Sequence, residues 1–163
     1  MKSIALGHTR DMRPSMEHSV NQTTGEISVV TPPGFKPVKV VLRHAQTMQA
    51  TRRDFRWVRK ASNITEPCRF PEYALKKPVF GGGNCVVPIF WHEKTMKASA
   101  DGIYRASPPD PSKKGHWTGY YVEVYFASDS GMKEYRLTTA GYAWPNTLPY
   151  KDCNGTTCTP RLV

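Results

Sequence analysis

The stretch Trp117-Thr-Gly-Tyr-Tyr-Val-Glu-Val-Tyr-Phe126 alternates in the way that marks a β-strand. Its apolar face is formed by Tyr120, Val122, Val124 and Phe126, and its opposite face mixes polar and aromatic residues. A strand with one continuous apolar face packs that face against a hydrophobic core. We therefore predict that this strand is central in its sheet and that the turn at 128–131 joins it to an antiparallel partner.

Other segments repeat this pattern on both sides of the central strand. The candidate strands are 27–29, 38–42, 55–59, 86–91, 102–106 and 133–142. Turn-rich segments such as Gly81-Gly82-Gly83-Asn84 separate them, and Pro32-Pro33-Gly34 predicts a hairpin between the first two. Short strands at this spacing are typical of an all-β fold, an Ig-like or fibronectin III-like antiparallel β-sandwich.

Length and composition limit the domain organisation. The chain has 163 residues with a net charge of +10, and no window approaches the ~20 apolar residues of a membrane span. Scattered proline and glycine exclude a long helix or coiled coil. We expect a polar linker over 1–24, one β-sandwich domain over 25–150 and a C-terminal tail over 151–163.

The four cysteines are Cys68, Cys85, Cys153 and Cys158. No Cys-x-x-Cys pair or histidine at finger spacing completes a zinc site, so we expect no metal and no cofactor. An even cysteine number fits disulfides in an oxidising compartment. Of the three possible connectivities we favour the local pairs Cys68–Cys85 and Cys153–Cys158; four reduced, buried thiols are the alternative.

Three N-glycosylation sequons begin at Asn21, Asn63 and Asn154, each in a polar, loop-like stretch. Together with the cysteines they predict a secreted, extracellular protein. A signal peptide needs 7–15 apolar residues, whereas residues 1–20 contain only the run Ile4-Ala5-Leu6. We therefore expect the chain to be the C-terminal piece of a longer secreted protein, with Met1 an internal methionine or an early boundary.

Catalytic signals are weak throughout the chain. There is no Gly-x-Ser-x-Gly elbow, and the five histidines show no metal-ligand spacing. Each histidine is therefore expected to be solvated or to lie on a strand surface. No catalytic residue is predicted from these patterns.

A basic stretch is the main electrostatic feature of the sequence. Residues 36–60 contain eight basic residues against the single acid Asp54. The candidate binding residues for an anionic partner are Arg52, Arg53, Arg56, Arg59 and Lys60. In a secreted protein such a stripe favours acidic glycans or a cell-surface receptor, and nucleic acid is the less favoured partner; a solvated basic face is the simpler interpretation. Asp54 is expected to fix the entry of a strand through hydrogen bonds to neighbouring arginines.

Several motifs in order resemble the C-terminal portion of the PhoPQ-activated pathogenicity-related protein family. They are the segment Pro37 to Ala45, Arg53-Asp54-Phe55-Arg56, Gly115 to Val124, Leu137-Thr138-Thr139 and Trp144 to Tyr150. The Trp-Thr-x-x-x-Val-Glu and Pro-x-Thr-Leu-Pro elements are the more specific ones. The resemblance spans roughly residues 22–150.

The resemblance implies an N-terminal α/β-hydrolase-like domain with a serine nucleophile, followed by a β-rich region, of which only the second matches this chain. His18 has the spacing of the family's triad histidine within Pro14-Ser15-Met16-Glu17-His18-Ser19, but the expected asparagine is missing. We expect a non-catalytic fragment that packs against the hydrolase-like domain. The alternative is a stand-alone extracellular binding module that uses the basic stripe.

Overall fold

The structure is a computed structural model. It describes residues 13–50, 52–56, 58–60, 68–70, 75–77, 84–87, 89–127 and 134–148. The short strands at 58–60, 68–70, 75–77 and 84–86 are described by their backbone alone.

The described residues form strands and no helix. The strands are β1 (Glu17–Val20), β2 (Ile27–Val30), β3 (Lys39–Gln46), β4 (Val58–Lys60), β5 (Cys68–Phe70), β6 (Leu75–Lys77), β7 (Asn84–Val86), β8 (His92–Thr95), β9 (Tyr104–Ala106), β10 (Thr118–Phe126), β11 (Tyr135–Thr138) and β12 (Tyr142–Trp144). The predicted all-β class is confirmed for this part of the chain. None of these segments has the helical length and apolar character that a membrane-crossing helix requires.

Two antiparallel sheets make up most of the fold. The first has the order β1-β2-β9, and the second has the order β11-β10-β3-β8, with β12 also paired to β10. The pairs β4-β7 and β5-β6 form separate two-stranded ribbons. The arrangement is sandwich-like, because residues of both larger sheets share one core.

Strand β10 organises the core as its sequence predicts. Its side chains Tyr120, Val122, Val124 and Phe126 are all buried and pack with Ile27 of the other sheet. β3 pairs with one edge of β10, and β11 and β12 pair with the other. Both the central position and the apolar face are therefore confirmed, as is the antiparallel β10–β11 pairing.

The predicted hairpin between the first two strands is wrong. β2 pairs with β1 and β9, whereas β3 pairs with β10 and β8, so residues 31–38 carry the chain from one sheet to the other. The reason lies in β3, where Val40, Val41 and Leu42 are all buried. A strand covered on both faces belongs inside the larger sheet, and a local hairpin cannot place it there.

Two other predicted strands are only partly right. The chain from 52 to 56 is not a strand, and β4 begins at Val58. The apolar run 86–91 separates into the end of β7 and the segment before β8, where Ile89 N–H donates to the Val87 carbonyl at 2.8 Å. Val87 and Ile89 are buried although neither belongs to a strand, so burial produced a strand-like pattern without strand pairing.

The predicted strand 133–142 is two strands joined by a bulge. Thr138 is opposite Glu123 and Tyr142 is opposite Tyr120, so four steps along this chain match three along β10. At the break, the Thr139 hydroxyl accepts a hydrogen bond from Val122 N–H at 3.0 Å, while Thr139 N–H donates to the Val122 carbonyl. The Thr139 hydroxyl thus takes the place of a backbone carbonyl as the acceptor for Val122 N–H. The pairing register with β10 shifts by one residue at this point.

The segment expected to be an irregular linker contains β1. Glu17–Val20 pairs along its whole length with Ile27–Val30, although three of its four residues are exposed. Its polar sequence gives no core-facing alternation, because it is an edge strand of the smaller sheet. The domain boundaries at 25 and 150 stay predictions.

An ion-pair network covers the outer face of the larger sheet. Glu123 is 5% exposed, and its carboxylate accepts hydrogen bonds from Arg43 Nε at 2.8 Å and the Tyr125 hydroxyl at 2.7 Å. Arg136 lies 3.3 Å from the other carboxylate oxygen, and Arg43 also pairs with Glu93 at 2.9 Å. Burial raises the pKa of the Glu123 carboxyl, but the hydrogen bonds and neighbouring arginines outweigh it and hold the pKa below its usual range.

We predict that Val122→Ala lowers the free energy of unfolding by about 1–3 kcal/mol, because it empties a fully buried core position. Urea denaturation followed by circular dichroism measures the change. Val38→Ala is the matched control, since Val38 is 58% exposed and is expected to lose less than about 0.5 kcal/mol. Equal losses for the two variants would contradict the packing described above.

We also predict that Glu123→Gln lowers stability at pH 7 by about 1–3 kcal/mol, since it removes charge-assisted hydrogen bonds from a buried site. A carboxyl with a depressed folded-state pKa stabilises the fold above its unfolded-state pKa of about 4.3 and loses that contribution as the pH falls through the folded-state value. Stability should therefore fall less steeply below pH ~4.3 in the variant. Denaturation at a series of pH values tests this, and Glu93→Gln, at a more exposed carboxylate of the network, should have the smaller effect. Identical acid profiles for wild type and Glu123→Gln would rule out the assigned role.

Candidate functional site

A cleft of about 380 Å³ opens at the end of β10 where the β1–β2 turn, β12, the segment 52–56 and Trp91 meet. This volume is within the range of small-molecule binding sites. β10 contributes Gly119 and Tyr120 to it. The remaining lining residues form two walls and a polar rim.

The first wall depends on the turn between β1 and β2. The Asn21 side-chain oxygen accepts hydrogen bonds from the backbone N–H groups of Thr23 at 2.9 Å and Thr24 at 3.2 Å. This Asx-type turn leads into Gly25, which has a φ of 71°. A Cβ atom at Gly25 would lie 2.7 Å from the Trp144 ring, so glycine is needed for both its backbone angle and the close approach of the indole.

β12 completes this wall with two aromatic side chains. The bulge before β12 sets Tyr142 beside Tyr120, with ring centroids 5.8 Å apart, and burial together with Tyr142 raises the pKa of the Tyr120 phenol. Trp144 Nε1–H donates to an oxygen of Asp110 at 3.1 Å, which orients the indole. The Tyr142 hydroxyl forms a hydrogen bond with His18 Nε2 at 2.9 Å.

The second wall is aromatic and rests on Gly119. The Phe55 ring lies so close that a Cβ atom on Gly119 would be 2.8 Å from it. Phe55 and Trp91 have centroids 6.3 Å apart, and Trp91 and Tyr121 have centroids 5.3 Å apart. These tilted pairs pack Trp91 against two rings, while 39% of the residue stays exposed.

Arg53 supplies the charge of the cleft. Its Nη1 donates to the Thr147 carbonyl at 3.2 Å, and the same carbonyl accepts from Trp117 Nε1 at 3.0 Å. Arg53 forms no ion pair with any described residue, and no carboxylate is among the described residues that line the cleft. The guanidinium therefore presents an uncompensated positive charge to a partly enclosed, aromatic site.

Side-chain amides form the polar rim. Asn146 Nδ2 donates to Gln22 Oε1 at 2.9 Å, which links the segment after β12 to the β1–β2 turn. Asn21 lies next to Gln22 on the same rim. Each amide offers both donors and acceptors, so the rim can bind groups that do both.

The five predicted basic residues do not form one described surface. Arg53 lines the cleft, and Arg52 is exposed outside its lining. Arg56 instead pairs with Asp54 through two contacts at 2.8 and 2.7 Å, and its backbone N–H also donates to that carboxylate. The predicted hydrogen bonds between Asp54 and a neighbouring arginine are thus present, whereas the predicted strand does not begin here, because residues 52–56 form no strand. Arg59 and Lys60 lie on β4, where only the backbone is described.

The predicted modification sites are only partly within the described residues. Asn21 is exposed at the rim of the cleft, while Asn63 and Asn154 lie outside the described residues. Cys68 is on β5 and Cys85 on β7, with their side chains not described, and Cys153 and Cys158 lie outside the described residues. Glycosylation and both disulfides stay predictions.

The histidines are distributed over separate places in the structure. His44 and His92 face each other across β3 and β8 with stacked rings 5.5 Å apart. Burial, His92 and Lys94 lower the pKa of His44. His116 Nδ1 is 2.8 Å from the Thr47 carbonyl, and His18 contacts a tyrosine hydroxyl. Within the described ranges no three His, Cys, Asp or Glu side chains cluster as a metal site would need.

The molecule is thus an all-β, sandwich-like chain with an aromatic cleft that contains one uncompensated arginine. Comparison with curated proteins finds similarity to autocrine proliferation repressor protein A of Dictyostelium discoideum, with 26% identity over 160 residues. The similarity covers 93% of this chain and 28% of that protein's length. No protein-family model and no solved structure matches the chain.

The cleft residues come from distant parts of the sequence. Composition and charge identify Arg53, but the roles of Trp91, Tyr142 and Asn146 are not predicted. Two local signals in the sequence point to these residues. Arg53 and Phe55 lie in one of the motifs that resemble the family, and Trp144 and Asn146 lie in another. The folded chain brings these two motifs to the same cleft.

We predict that Gly25→Ala destabilises the protein by about 2 kcal/mol or more, because it combines a strained positive φ with a contact of 2.7 Å to Trp144. Thermal or urea denaturation measures the loss. Gly102→Ala is the matched control: its φ is +78°, yet nothing lies within 4 Å of the added methyl group. It should cost only the backbone term of about 1 kcal/mol, and equal losses would show that Trp144 does not pack on Gly25.

Proposed function

We propose that this chain is the non-catalytic C-terminal β-domain of a longer secreted protein, related to autocrine proliferation repressor protein A and to the PhoPQ-activated pathogenicity-related proteins. The observation that carries the proposal is the extent of the similarity, which takes in 93% of this chain and 28% of the relative. In this proposal the remaining part of the longer protein is an α/β-hydrolase-like domain, and the full-length protein is a serine hydrolase. The sandwich-like fold is assigned to the Ig-like or fibronectin III-like class.

An exposed aromatic corner supports packing against such a domain. Phe90 is 70% exposed and precedes Trp91, which is 39% exposed. Burying a phenylalanine side chain of this kind contributes about 1.5–3 kcal/mol, so a neighbouring domain that covers the corner would gain stability there. The corner lies directly before β8 at the edge of the larger sheet, where a second domain has access.

The contacts of His18 support a non-catalytic role for this part of the protein. A triad histidine needs a serine or cysteine on one ring nitrogen and a carboxylate on the other. His18 Nε2 contacts the phenol of Tyr142, and no carboxylate of the described residues lies at hydrogen-bond distance from the ring. The His18–Tyr142 contact instead ties β1 to β12.

A second candidate function is an extracellular binding module for an acidic glycan or a receptor. Arg53 favours it, because this arginine is unpaired within the described chain and lies in a ligand-sized cleft. The two functions are compatible, since a C-terminal domain can carry a ligand site of its own.

The fragment proposal is tested by reading the coding sequence upstream of Met1 and co-purifying the encoded domain with this chain. We expect an α/β-hydrolase-like domain that binds the chain, and Phe90→Ser should weaken binding at least tenfold. Val30→Ser is the matched control, because Val30 is 41% exposed on β2 in the other sheet.

Three outcomes would contradict the proposal. One is an in-frame stop codon before Met1 with no upstream domain. Another is equal loss of binding in the Phe90 and Val30 variants. The third is esterase activity of the isolated chain on p-nitrophenyl acetate that disappears in His18→Ala.

A further inference from the structure

The cleft combines features that together specify a ligand. Packing against another domain at Phe90 does not explain the charge of Arg53 or the amide rim, which lie in the cleft itself. A guanidinium beside aromatic rings and without a carboxylate is expected to attract an anion. The net charge of +10 adds a long-range attraction of the same sign.

The number of charges narrows the type of anion. One guanidinium matches one carboxylate, because its planar N–H groups form two parallel hydrogen bonds with the two oxygens. Arg53 uses one donor on the Thr147 carbonyl, and the fork retains further N–H groups. A phosphate monoester carries close to two negative charges at pH 7, and the described residues that line this cleft include no second cation to balance them.

The uncharged part of the cleft indicates what carries the carboxylate. Phe55, Trp91 and Trp144 offer aromatic surface, and Asn21, Gln22 and Asn146 offer amides that both donate and accept. A pyranose ring has an apolar face for an aromatic side chain and hydroxyl groups that both donate and accept. An extended acidic peptide has no comparable set of hydroxyls for the rim.

We infer that the cleft binds an acidic saccharide, a sugar chain of which one carboxylate-bearing ring occupies the cleft. Arg53 binds the carboxylate, the aromatic walls contact the sugar faces, and the amide rim binds the hydroxyl groups. This inference rests on the second candidate function, the glycan-binding module, and names its ligand class. It is independent of the fragment proposal, because the site lies within this chain alone.

The probe is a hyaluronan tetrasaccharide, which alternates uronic acid and N-acetylglucosamine, and the neutral comparison is chitotetraose. Isothermal titration calorimetry at ~0.15 M salt, where weak surface attraction is screened, should give at least tenfold tighter binding of the acidic sugar. Arg53→Gln should lose at least tenfold in affinity for it, and Arg53→Lys should lose less, because the charge remains.

Arg52→Gln is the matched control, since Arg52 is an exposed neighbour outside the cleft lining and should change affinity less than twofold. Thermal melting of each variant checks the fold. A second measurement needs no variant: in an NMR titration of the native chain, the indole N–H signals of Trp91 and Trp144 should shift with the acidic sugar.

Specific outcomes overturn the inference. Equal affinity for chitotetraose would remove the role of the carboxylate, and equal losses in Arg52→Gln and Arg53→Gln would reduce the effect to general surface charge. Tighter binding of a tetraglutamate peptide would assign the cleft to acidic peptides instead. Unshifted indole signals would place any binding elsewhere. The packing at Phe90 is measured separately, so either proposal can fail without the other.

Discussion

The pairing of β3 with β10 is the constraint on which the rest of the structure depends. Eight residue pairs join the strands, from Thr118 opposite Gln46 to Tyr125 opposite Lys39. On the inner face, aliphatic side chains fill the core, while on the outer face Arg43 reaches the nearly buried Glu123. Because side chains alternate between faces, a slip of one residue would put the carboxylate in the core and valines among the ion pairs. Both faces therefore fix the same register.

The sequence predicts best where alternate apolar residues along a strand face the core. β10 and β9 are of this type, and the sequence pattern predicted a strand at each of them. It fails at strands stabilised mainly by pairing at a sheet edge: β8 has the sequence His-Glu-Lys-Thr and is exposed throughout, and β1 is nearly so. It also fails where an apolar run is buried without pairing, as at Val87 and Ile89. In each case the missing information is the identity of the neighbour, which no local pattern contains.

The candidate site shows the same division between local and long-range information. Charge density marks the basic stretch, and local chemistry correctly pairs Asp54 with a neighbouring arginine, although the strand predicted to begin there does not form over 52–56. That carboxylate fits the side chain of Arg56 in a two-point contact, whereas Arg53 turns toward Thr147, 94 positions further along the chain. Which arginine stays uncompensated therefore depends on a tertiary contact. Composition counts all these charges alike, although among the described side chains of this stretch Arg53 is the charged one that lines the cleft.

Trp91 connects the two proposed binding events physically. Its ring contacts Phe55 in the cleft wall and Tyr121 on the outer face of the sheet, and its chain neighbour is the exposed Phe90. A domain that buries Phe90 would restrict the same indole that contacts a sugar in the cleft. If the Trp91 side chain takes the same position in both complexes, binding of either partner fixes that position. The other partner then loses less conformational entropy of the indole when it binds. Linkage then requires each to strengthen the binding of the other by the same factor.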